Sequence, residues 1–211
     1  MSEPAGGRPR PERYTSVPRP VLWLIPEGEL VIAGDRRTIA PFYLSTLPVT
    51  NAQLEAWLPA WERSPLAPGD DDPAVGTTAE LAREYCRWYG ALARKPIRLP
   101  SEAEWEHACR GGSPARRFWG EGEAAADEHA WHAGNSGPRV PPLAAKRTNP
   151  FGLHAMLGGV WEWVEGEAAV ALRGGSWRTP LAEIDCEARR VPAAGERIAD
   201  AGFRIARSLR G

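Results

Sequence analysis

Apolar residues in the first hundred positions fall into short runs with clear punctuation. Leu22 to Ile25 and Glu29 to Ala33 flank Pro26-Glu27-Gly28, a turn signal that predicts a hairpin. Pro41 to Ser45 predicts a further short strand. Thr50 or Asn51 then offers a helix cap, and Leu54, Trp57, Leu58 and Trp61 recur at helical spacing, so a core-facing helix is expected over Ala52–Trp61. Thr78–Ala93 repeats the pattern, with Leu81, Tyr85, Trp88 and Tyr89 or Leu92 on one side. A third helix opens at Ser101, where Glu104 three residues on completes a capping-box signature. Trp105, Ala108 and Cys109 share one face of it. From Gly111 onward no helical period is visible. Turn residues dominate, with strand candidates at Val160–Val164, Val170–Leu172 and Gly202–Ala206. No repeat and no linker divides the chain. The expectation is a disordered arm over residues 1–20 and one α+β domain over 21–211, rich in irregular structure.

Composition narrows the function classes. The formal net charge is −1, so there is no electrostatic footprint for nucleic acid or an anionic membrane surface. The longest apolar run, Val21 to Ile25, is too short to span a bilayer, and a cytoplasmic location is expected. Cys86, Cys109 and Cys186 show no metal or redox spacing. His129 and His132 stand beside Asp127 and Glu128, the residue types of a two-histidine, one-carboxylate iron site. Scattered histidines are ordinarily surface or satisfied core groups, so ligation is not expected. Asp70-Asp71-Asp72 reads as a solvated charge run. Ser176 follows a glycine pair but lacks the G-x-S-x-G setting of an activated serine. Ten tryptophans stand against four phenylalanines. Trp88, Trp105, Trp161 and Trp163 are expected in the core, and Trp119 and Trp177 beside a cleft.

Seven motifs in order carry a family resemblance. They include Pro48-Val49-Thr50-Asn51, Tyr85-Cys86-Arg87-Trp88, Arg98 through Trp105, Asn149-Pro150-Phe151-Gly152-Leu153, Gly158 through Trp163, and Arg173-Gly174-Gly175-Ser176-Trp177; Gly202-Phe203-Arg204 closes the series. Together they resemble the formylglycine-generating enzyme (sulfatase-modifying factor) domain. The resemblance implies a C-type-lectin-like fold. It also implies two copper-binding cysteines just after the Gly-Gly-Ser-aromatic motif, thiolates suited to a soft copper(I) ion. Thr179 and Ile184 occupy those positions here, so copper and formylglycine generation are not expected. Of the family's calcium ligands Glu162 remains, but Gly159 replaces an asparagine, so calcium is expected to be weak or absent. No other cofactor is expected. The resemblance also implies that Cys109 faces Cys186, as two thiols in a reducing compartment, while Ile205 leaves Cys86 without its usual partner.

In diversified relatives with this fold, the stretch matching Arg178–Asp185 is a ligand-binding surface. The expectation is therefore a non-catalytic binding module for a protein or peptide, with no nucleic-acid or membrane partner. Its expected surface comprises Trp119, Trp177, Arg178, Thr179, Leu181, Glu183, Ile184, Asp185, Glu187 and Arg189. The alternatives are an oxidoreductase using a different metal or cofactor site, and a degenerate subunit that pairs with an active homologue.

Overall fold

The computed structural model describes residues 17–32, 34–120, 122 and 125–209. Residues 1–16, most of the expected arm, and Ala33, the end of the expected second strand, lie outside the described residues. The chain opens with β1 (Leu22–Ile25), β2 (Gly28–Ile32), β3 (Asp35–Ile39) and β4 (Phe42–Ser45). Three helices follow: α1 (Asn51–Glu55), α2 (Ala79–Ala93) and, after β5 (Ile97–Arg98), α3 (Glu102–Arg110). Beyond them come α4 (Ala126–His129), β6 (Trp161–Val164), β7 (Ala171–Arg173), β8 (Arg189–Arg190), β9 (Ala201–Gly202) and β10 (Ala206–Ser208). The strands form sheets ordered β1-β4-β10-β5 and β8-β7-β6-β9, with β2-β3 as a separate ribbon.

The expected first hairpin is not formed. β1 pairs with β4, Leu22 opposite Ser45, and β2 folds back on β3. Phe42 and Leu44 of β4 are fully buried, and β4 takes β1 and β10 on its two edges. β3 gave no signal because Asp35, Arg36, Arg37 and Thr38 are all exposed and only Ile39 is buried. The first helix is one turn, not three. Its cap is Thr50, in a capping box with Gln53, and the helix ends at Glu55. Pro59 disfavours helical backbone at Leu58 before it. Trp61 still reaches the interior, donating its indole N–H to Asn51 Oδ1 at 3.0 Å. α2 buries Ala82, Tyr85, Cys86 and Tyr89, while Leu92 is exposed and Leu81 and Trp88 are half-buried, so its core face is rotated from the expected stripe. α4 adds one helical turn beyond Gly111, where none was expected.

α3 follows the sequence closely, because its first turn is fixed locally. Ser101 Oγ accepts from the Glu104 amide, and Glu104 Oε2 accepts from the Ser101 amide at 2.8 Å. Arg98 donates to both Glu104 oxygens at 2.6 and 2.7 Å. At the other end Asn149 Nδ2 donates to the carbonyls of Ala108 and Cys109, two acceptors that the last helical turn leaves open. Its Oδ1 accepts from the Phe151 and Leu153 amides, which folds the Asn149–Leu153 turn against the helix.

The expected strand over Gly202–Ala206 is instead two strands in two sheets. β9 runs parallel to β6, and β10 pairs with β4 and β5. Phe203, Arg204 and Ile205 cross between them, each fully buried. The Arg204 guanidinium lies 2.9 Å from both Glu162 oxygens through Nε. It also donates to the carbonyls of Ser45 and His154. Glu162 Oε2 further accepts from the Trp105 indole at 2.8 Å.

Two outcomes are expected. Arg204→Ala leaves a buried carboxylate without its counter-ion and should cost about 3–5 kcal/mol in urea unfolding. Burial raises the Glu104 carboxyl, but the Arg98 hydrogen bond, the Ser101 amide and the Arg98 charge outweigh it, and the net shift is downward. A carboxyl lowered on folding contributes stability above its unfolded value, about 4.3, and loses it as pH falls through the folded value. Glu104→Gln should therefore cost about 1 kcal/mol at neutral pH and flatten the acid limb of the melting-temperature profile.

Candidate functional site

Strand β7 is followed by Gly174-Gly175, with φ of +91° and +81°, backbone that only glycine adopts without strain. Space demands glycine as well. A Cβ on Gly174 would stand 2.7 Å from the Met156 carbonyl oxygen, and one on Gly175 would stand 2.9 Å from Ile184 Cγ1 and 3.5 Å from Thr179. Thr179 and Ile184, five residues apart, are thus brought together against one backbone position.

What they bring there is not a metal site. Ile184 is fully buried, in the same cluster as Cys109, Cys186 and Trp105. Thr179 Oγ1 accepts from the Ser176 amide at 2.9 Å, and the Thr179 carbonyl accepts from Ala133 N. Ser176 Oγ donates to Asp200 Oδ2 at 2.6 Å and accepts from the Arg178 amide. A hydroxyl and a hydrocarbon side chain do not supply the thiolates that copper(I) requires. The residues do not fit that ion.

The structure corrects the expected ten-residue surface. Trp177, Thr179, Ile184 and Asp185 are buried and offer no area to a ligand. Trp177 packs with Leu143 and Val160, and the Arg178 guanidinium lies 4.9 Å from the centre of its ring. Asp185 Oδ2 pairs with Arg116 at 2.6 Å, and its Oδ1 accepts from the Glu187 amide. Trp119 is half-buried, stacked on His129 at 5.6 Å. The side chains that reach solvent are Arg178, Glu183, Glu187 and Arg189, with Leu181 half-exposed.

The loop itself is held firmly. Arg117 donates to the carbonyls of Leu181 (2.7 Å) and Ile184 (3.0 Å), around a single 3₁₀ turn over Leu181–Glu183. Arg110 and Arg116 both pair with Glu187, and Arg189 pairs with Glu102 of α3. Sequence reasoning missed Arg116, Arg117 and Asp200. The two arginines lie in a turn-rich stretch with no period, more than sixty residues from the groups they hold, loop carbonyls for Arg117 and the Asp185 and Glu187 carboxylates for Arg116, and no spacing signals such contacts.

The remaining candidates find partners of their own. Glu162 was the one calcium ligand left, but its carboxylate lies in the Arg204 ion pair, and a cation there would have to displace a buried guanidinium. Burial raises its carboxyl, against the opposing pull of Arg204 and Trp105. His132 Nε2 lies 3.2 Å from Asp127 Oδ1, and its Nδ1 accepts from the Gly134 amide. Burial lowers His129, which keeps its ring neutral. Among the described residues no three His, Cys, Asp or Glu side chains are grouped to hold a metal. Cys109 and Cys186 do meet, Sγ to Sγ at 3.0 Å. Burial and then the neighbouring sulfur push the Cys109 thiol well up. Burial likewise pushes Cys86 up to about 12. Thiols so displaced stay protonated at neutral pH and are poor nucleophiles and ligands.

Comparison with known proteins follows the same lines. The profile of the Sulfatase-modifying factor enzyme 1-like domain matches residues 15–209. Inactive C-alpha-formylglycine-generating enzyme 2 of Bos taurus is 33% identical over 146 residues, 57% of this chain and 46% of that protein. Formylglycine-generating enzyme of Mycobacterium tuberculosis is 36% identical over 106 residues, 45% of this chain and 33% of that protein. The matches thus span less than half the length of these relatives. Among solved structures, Treponema denticola variable protein 1 superposes with a TM-score of 0.77 at 20% identity, covering 89% of this chain and 94% of its own. PvdO from Pseudomonas aeruginosa superposes at 0.78 and 23% identity, covering 90% and 95%. They share the α+β, C-type-lectin-like fold of the formylglycine-generating enzyme type.

The paired thiols generate a direct test. Mild oxidation should close Cys109 to Cys186 and leave Cys86 as the remaining free thiol on peptide mapping. Cys186→Ala should abolish the bridge. A bridge involving Cys86 would contradict the arrangement.

Proposed function

The chain belongs to the sulfatase-modifying factor enzyme 1-like family, and from that premise we propose that it is a non-catalytic module that binds a protein or peptide through the loop Arg178–Glu183. The observation that supports this reading is the fate of the two copper positions. The glycine cradle that brings them together is intact, yet it holds a hydrogen-bonded threonine and a core isoleucine. The scaffold is kept and the reactive groups are absent from it. A relative named as inactive exists in the same family, in Bos taurus.

The loop suits recognition. Its backbone is fastened by Arg117, so little conformational entropy is lost when a partner docks. Arg178 and Glu183 offer charges of both signs and Leu181 an apolar contact, a mixture suited to protein rather than to a polyanion. Glu187 and Arg189 extend the surface but are already paired, so they fix its shape more than its affinity. A reducing compartment such as the cytoplasm suits three unbridged thiols.

The test has two arms. Against a partner co-purified from the native host, Arg178→Ala and Leu181→Ala should weaken binding by about 1–2 kcal/mol each. Ile184→Ala should instead lower stability by about 2–4 kcal/mol. Unchanged affinity across Arg178, Leu181 and Glu183 would sink the placement. Stoichiometric copper or iron in protein purified without chelator would favour an oxidoreductase and overturn the non-catalytic reading.

A further inference from the structure

A second surface lies away from that loop, along the β2-β3 ribbon. β2 pairs with β3 on one edge, and no described strand pairs with the other. Beside β2 runs a groove of about 560 Å³. Its lining includes five consecutive residues, Glu27 to Val31. Alternate side chains of a strand point to opposite faces, so consecutive residues line one groove only when it follows the strand's edge. The opposite wall is the turn after α3, at Gly112 to Pro114, and Phe151. His107 supports the base, its ring 5.6 Å from that of Phe151 and its Nε2 2.9 Å from the Pro26 carbonyl oxygen.

An open edge ordinarily invites pairing, and proteins blunt it with lysine, proline or a bulge. Gly28-Glu29-Leu30-Val31-Ile32 contains neither residue, and Val31 is 58% exposed. The single charge, Glu29, is neutralised from the far side by Arg36 at 2.5 Å. Half of the amides of an antiparallel edge strand point outward, here into the groove. The unpaired charge lining it is the Glu27 carboxylate. Glu27 has no ion-pair partner among the described residues, whereas Glu29 is paired with Arg36, and Glu187 with Arg110 and Arg116. The Arg110 guanidinium is already bound to Glu106, Glu187 and the carbonyls of Pro114 and Ala115.

We propose that this groove takes an extended peptide segment that adds to β2 as a third strand and places a lysine or arginine against Glu27. The main-chain bonds would give affinity without sequence preference, and the carboxylates and Phe151 would select alternate side chains. Of the loop residues proposed above, only Glu187 borders the groove, so this site stands or falls separately.

The probe is a displayed library of random short peptides, selected on the intact chain. Enriched peptides should carry one lysine or arginine at a fixed position among β-branched residues. A peptide so selected should slow amide hydrogen exchange across Gly28–Ile32. Glu27→Lys should weaken it about fivefold, the size of a partly exposed charge pair. Arg178→Ala should leave it unchanged. Failure to enrich any such pattern would overturn the proposal, as would protection of residues 178–185 in place of β2. Slowed exchange in β2 on raising protein concentration alone would assign the edge to a second copy of this chain and also overturn it.

Discussion

Arg204 organises this molecule. A guanidinium removed entirely from water must find both a counter-charge and acceptors for its remaining donors. It finds the charge in Glu162 of β6, and the acceptors in the Ser45 carbonyl at the end of β4 and the His154 carbonyl in the loop before β6. Trp105 of α3 then completes the coordination of Glu162. Three separate stretches of chain are thereby set by one planar group with fixed donor directions, and a fourth through Glu162. Little regular structure is needed around such a point, and the short strands of both four-stranded sheets reflect that.

The same economy governs the loop region. Gly174 and Gly175 let the backbone approach Trp105, Met156, Thr179 and Ile184 more closely than any side chain would allow. Packing of that kind sorts the following residues into inward and outward sets. Trp177, Thr179, Ile184 and Asp185 go inward, and Arg178, Glu183 and Glu187 stay outside. The inward set fills the space beneath the loop, with Ile184 in the core and Thr179 bonded to the Ser176 amide. The outward set reaches solvent.

Local rules carried some elements completely. The Ser101–Glu104 box and the face of Trp105, Ala108 and Cys109 describe α3 as found, because the cap and the spacing of that face both lie within nine residues. The Asn149-Pro150 motif was legible as a motif but not as a cap for that helix, since its acceptors lie some forty residues away. β3 was invisible because an exposed ribbon needs no apolar alternation. α1 read as long because the tryptophan spacing continued past a proline that ended the helix. Those tryptophans reach the core from a turn rather than from a helix face.

What the sequence by itself determined was the identity of the scaffold and the absence of thiols at positions 179 and 184, since both are matters of residue type in order along the chain. Tertiary structure alone decided which expected site residues face solvent, where Arg116, Arg117 and Asp200 enter, and that Glu162 serves Arg204. Burial and pairing at those positions arise between residues tens of positions apart. No period or spacing encodes them, and only the closed fold brings the groups within hydrogen-bonding reach.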